Sequence, residues 1–96
     1  MNTFNEVQYQ AVLEPFKRAN IYYPATLKQF LAITKTELDP DETVLETYET
    51  ITTTLLLFNA ATYPKECTII KDQVGVIDSR LTKVLQVNVW SSDDIL

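Results

Sequence analysis

The 96-residue chain has no histidine, one cysteine (Cys67) and one glycine (Gly75). Histidine is the side chain whose ordinary pKa suits proton transfer near neutral pH, so its absence removes the usual general base. A serine triad in its usual form is excluded with it. Glycine-rich phosphate cradles are excluded by the single glycine. One cysteine forms no intrachain disulfide and no thiolate metal framework. No apolar run approaches the roughly 20 residues needed to span a bilayer; the longest, Leu55-Leu56-Leu57-Phe58, suits a helix core. The first fifteen residues carry neither a basic start nor a continuous apolar run, so no secretory leader is expected.

What is present is ordinary for a folded domain: 46% hydrophobic and 22% charged residues, enough apolar surface for one core. The net charge is −5, a sign that opposes general affinity for nucleic-acid phosphates. The charge is also segregated. Lys17, Arg18, Lys28 and Lys35 outnumber Glu6 and Glu14 in residues 1–36. Residues 37–49 then carry Glu37, Asp39, Asp41, Glu42, Glu46 and Glu49 with no base. Such a band is either a solvated helix start, where acids complement the helix dipole, or one half of a head-to-tail contact.

Helical periodicity runs through the chain. Thr3 and Glu6 have capping-box spacing, and Phe4, Val7, Ala11 and Val12 follow at helical intervals. Pro15 predicts an end near Leu13 or a restart. A loop follows at Asn20–Pro24. Its Tyr22 and Tyr23 suit either a partner anchor or a lid over the core. Thr26 and Gln29 open a short second helix bearing Leu27, Phe30 and Leu31. Asp39, Pro40 and Glu42 predict the start of a long third helix, reaching Ala61 or Thr62. Its stripe is Val44, Tyr48, Ile51, Leu55 and Phe58, at steps of four, three, four and three. Ile70, Val74, Ile77, Leu81 and Val84 repeat those steps and predict one helix from about residue 65 to the mid-80s. Val84 to Trp90 is rich in β-branched residues and also suits an extended arm.

The expected fold is mainly α: a small three- or four-helix bundle over residues 1–90, the helices near 40–62 and 65–85 antiparallel. The C-terminal arm is helical or extended, and residues 91–96 form a flexible tail.

No constellation for catalysis emerges. Cys67 lacks a histidine partner and suits a small buried side chain. Glu42, Glu46 and Glu49, at i, i+4 and i+7, are expected on one helix face. Carboxylates alone suit Mg²⁺ or Ca²⁺, but Asp39–Glu49 lacks the glycine and alternating ligands of a calcium loop. The expectation is therefore a protein that is not an enzyme, with no cofactor and no metal. Its candidate interface residues are Tyr22, Tyr23, Asp39, Asp41, Glu42, Glu46, Glu49 and Trp90.

The segment Leu27-Lys28-Gln29-Phe30-Leu31-Ala32-Ile33, then Asp39-Pro40-Asp41-Glu42, then the apolar periodicity from Leu45 to Tyr63, resembles the small head–tail connector (adaptor) proteins of tailed bacteriophages. The resemblance implies a helical, non-enzymatic subunit of a ring between portal and tail. Its partners would be copies of itself and portal or tail proteins, without direct sequence-specific nucleic-acid binding and without a membrane. Its place would be the virion, assembled in the host cytoplasm. A small acidic inhibitor or immunity protein, blocking a nucleic-acid-acting enzyme through complementary charge, is the other reading of the same composition.

Overall fold

The computed structural model describes the backbone of residues 2–93 and the side chains of residues 2–87. The mainly α class expected from periodicity is what the fold shows. Among the described residues there are five helices and no strand: α1 (Glu6–Ala19), α2 (Leu27–Thr34), α3 (Val44–Asn59), α4 (Pro64–Val74) and α5 (Ser79–Asp93). Contacts divide the chain into two compact units, Met1–Ile51 and Thr52–Leu96, with the boundary inside α3.

In the first unit, α1 is capped by Asn5, not by Thr3. The Val7 amide donates to Asn5 Oδ1 (2.9 Å), and the Asn5 amide donates to Gln8 Oε1 (2.9 Å). Asparagine is a somewhat stronger N-cap than threonine. Asn2 also holds residues 2–4 out of the helix: its Oδ1 accepts from the Phe4 amide, and its Nδ2 reaches Thr47 Oγ1 and the Asp39 carbonyl.

The helix also runs through Pro15 to Ala19, past the expected stop at Leu13. Proline removes the bond that would have used the Ala11 carbonyl. The Tyr48 hydroxyl donates to that carbonyl at 3.4 Å, a long contact. Pro15 itself is buried beside Tyr9, Val12, Leu13 and Phe16. Apolar burial on both sides of Pro15 keeps the helix in one piece. The same burial sets its inward face: Val7 and Ala11, expected there, are exposed. The stripe Tyr9–Val12–Leu13–Phe16 carries two aromatic rings and buries more apolar area.

Asn20, left-handed at φ 59°, ends α1, a conformation asparagine tolerates. Thr26 and Gln29 form the expected capping box of α2. A residue from α1 adds to that start: Glu6 Oε1 accepts from the Leu27 amide at 2.9 Å. Two further bonds tie α1 to the loop before α2. The buried Tyr9 hydroxyl donates to the Pro24 carbonyl (2.7 Å), and Gln10 Nε2 donates to the Ala25 carbonyl (3.0 Å). The Tyr9 and Phe30 rings meet with centroids 5.8 Å apart, tilted 48°.

In the second unit, the C-terminal half of α3 buries Leu55, Leu56, Asn59 and the following Ala60. The Asn59 side chain donates to the Leu55 carbonyl, and its own backbone carbonyl accepts the Thr62 and Tyr63 amides that turn the chain into α4. Pro64 then occupies the first turn of α4, where a missing N–H is harmless.

The single helix expected over residues 65 to the mid-80s is two helices. Gly75 stops α4 at φ 73°, and Asp78 starts α5 by accepting the Arg80 (2.9 Å) and Leu81 (3.1 Å) amides on Oδ1. A left-handed glycine and an aspartate N-cap together outweigh an unbroken apolar period. α4 packs against α5, and the buried residues here are Cys67, Ile70, Val76, Leu81 and Leu85. Ile77, expected inward, is instead 97% exposed, and Val74 and Val84 are also on the surface. The β-branched stretch from Val84 is helical, and α5 continues to Asp93, beyond the expected boundary at Trp90. Residues 94–96 of the expected tail lie outside the described residues.

Candidate interaction surface

The acidic band lies in the first unit, in the loop after α2 and the first turns of α3. Its local chemistry differs from the expectation. Asp39 does not cap the helix. Its Oδ1 accepts the Asp41 amide (2.8 Å) and its carbonyl accepts the Glu42 amide (3.1 Å), so it closes a turn ahead of α3. Such self-bonded aspartates favour turns. Thr43 caps instead: the Glu46 amide donates to Thr43 Oγ1 (3.0 Å), and the Thr43 amide donates to Glu46 Oε1 (2.9 Å). The Thr43 amide and then its hydroxyl hold the Glu46 carboxyl below its ordinary pKa.

Glu42 therefore precedes the helix and does not continue the face of Glu46 and Glu49. It is half-buried and accepts from the Thr47 hydroxyl at 3.2 Å. Three of the six acids, Asp39, Glu42 and Glu46, are thus engaged in shaping the start of α3. Glu37, Asp41 and Glu49 are exposed. Among the described residues the only ion pair is Asp78 with Arg80 at 3.5 Å, so none of the acids in the band is paired there with a base. Leu45, one turn before Glu49, is 67% exposed in the middle of this charge.

Tyr22 is 49% exposed and Tyr23 half-buried on the α1–α2 loop, next to the buried Pro24. Both tyrosines lie in the same unit as the acidic band. Trp90 lies on α5, and its side chain is outside the described residues. Periodicity alone missed the exposed positions Leu45, Ile77 and Val84. The signal for Ile77 and Val84 was Gly75 followed three residues later by Asp78, a stop-and-start pair that resets the helical phase.

Among the described residues no three Asp, Glu or Cys side chains converge as metal ligands. The Cys67 thiol is fully buried, with Sγ 3.5 Å from the Leu56 carbonyl. Burial, and secondarily Glu66, pushes its pKa up to about 12, which keeps it protonated and unreactive near neutral pH. No described helix is long and apolar enough to cross a membrane. Comparisons with protein-family models, curated proteins and solved structures found no match.

Proposed function

We propose that this chain is a non-enzymatic structural adaptor that self-associates and joins other proteins, in the role of a head–tail connector (neck) subunit of a tailed bacteriophage. Its partners are further copies of itself and portal or tail proteins, and its place is the virion, assembled in the host cytoplasm. The observation that carries the reading is the acidic band. Exposed carboxylates, without a basic partner among the described residues, flank an exposed leucine in sequence. Charge of this kind, with a small apolar centre, suits docking to another protein. The lack of histidine and the buried, protonated thiol support a role without chemistry.

The test is size-exclusion chromatography with light scattering over a range of protein and salt concentrations, with and without candidate portal or tail proteins. A connector subunit forms concentration-dependent oligomers whose stability falls with salt. A strict monomer that binds one nucleic-acid-acting enzyme tightly in a one-to-one complex would instead establish the acidic inhibitor.

A further inference from the structure

The α5 helix carries apolar side chains on two stripes. Leu81 and Leu85 form the inner one and are buried. Beside it runs an outer stripe at i, i+3, i+4 and i+7: Arg80, Lys83, Val84 and Val87. Val84 is 38% exposed and Val87 59%, and Ile77, just before the Asp78 cap, is 97% exposed. A helix with apolar residues on two faces has one face more than its own core uses. The outer face is also basic. Arg80 stands in the first turn of α5, where the helix dipole disfavours a cation, and its side chain is 75% exposed despite the contact with Asp78.

Resting on the self-association reading, we infer that this outer face of α5, with Ile77, is the docking site for the acidic start of α3 in a second copy of the chain. Charge complementarity selects that occupant. The α5 face presents Arg80 and Lys83, whereas the loop and first turns of α3 expose Glu37, Asp41 and Glu49 on either side of the exposed Leu45 in sequence. Pairing two α5 faces would bring like charges together, and so would pairing two acidic starts. The contact is therefore heterologous: one face of each copy meets the other face of the next. Repetition of such a contact closes into a ring or propagates as a filament. In it, Leu45 packs among Ile77, Val84 and Val87, and the carboxylates meet Arg80 and Lys83 at the rim.

Charge reversal in trans tests the assignment. One variant carries Arg80→Glu with Lys83→Glu; the other carries Asp41→Lys with Glu49→Lys, positions that leave the Asp39 turn and the Thr43 cap intact. Each alone should run as a monomer by light scattering at concentrations where the unmodified chain is oligomeric. Mixed, the two should recover the oligomers of the unmodified chain with the variants alternating, because the reversed faces match each other and so do the unreversed ones. Ile77→Ser, at a fully exposed position that the fold does not need, should raise the self-dissociation constant about tenfold. Circular dichroism checks that each variant keeps its helix content. Oligomers that persist unchanged in both charge variants would refute this docking site while leaving self-association standing. An unmodified chain that stays monomeric at every concentration would remove both.

Discussion

Tyr9 is the clearest place to test how the first unit is held. Its side chain is fully buried, its hydroxyl donates to the Pro24 carbonyl at 2.7 Å, and its ring meets Phe30. Tyr9→Phe removes one oxygen and keeps the ring contact. It deletes a short, buried hydrogen bond and leaves the Pro24 carbonyl without that donor. A net hydrogen bond contributes about 1 kcal/mol, and a stranded buried acceptor costs roughly 1–3 kcal/mol, so a loss of about 1.5 kcal/mol is expected. With a urea m-value of roughly 1–3 kcal/mol/M, the midpoint should fall by about 0.5–1.5 M at unchanged m. The pH dependence gives a second readout. Burial, then Glu6 and Tyr22, raises the Tyr9 pKa above its ordinary value of 10.0. A phenol whose pKa is raised by folding stabilises fully below its unfolded pKa. That contribution declines as pH climbs past 10.0 toward the folded pKa. The stability gap between the parent chain and the Tyr9→Phe variant should therefore be widest below that pH and shrink above it. Equal midpoints near neutral pH, or a gap that widens in alkali, would refute the role assigned to this bond.

Other consequences can be checked in the same way. Thr43→Ala should destabilise the fold by about 1 kcal/mol as a lost N-cap, while Asp39→Ala should cost less; the reverse order in urea melts would return the cap to Asp39. Gly75→Ala should cost about 1 kcal/mol and Gly75→Asn less, because no atom lies within 4 Å of a Cβ built there and only the left-handed backbone resists. Equal melting temperatures for the alanine variant and the parent would deny that Gly75 enforces the break. Cys67 should resist a thiol-specific disulfide reagent in the native state at pH 8 and react promptly in denaturant; rapid native labelling would contradict its burial.

Much of the helix layout was legible in the residues. Thr26 with Gln29 announced α2, the helix expected from about residue 65 begins at Pro64, and Asn20–Pro24 read as the loop it is. The errors came where two local signals competed. Thr3 and Asn5 both suit an N-cap, and Asn2 decides by bonding Thr47, a residue 45 positions away. Asp39 and Thr43 both suit the start of α3, and the choice follows from which glutamate can reach back. The acids of the candidate interface were visible as a cluster, but their division into turn-forming and outward-facing groups depends on individual hydrogen bonds that spacing does not encode.

The residues alone determined what the chain lacks, its helical class and its segregated charge, since composition and short-range periodicity depend only on neighbours in sequence. Tertiary packing decided which side of each helix turns inward. It carried α1 through Pro15 because burial on either side outweighs one missing backbone bond, whereas Ile77 turned outward through a local cause, the Gly75 stop and the Asp78 cap that reset the phase between α4 and α5. A period of three to four residues says that a face exists; only the surrounding side chains say whether that face meets a core or the solvent.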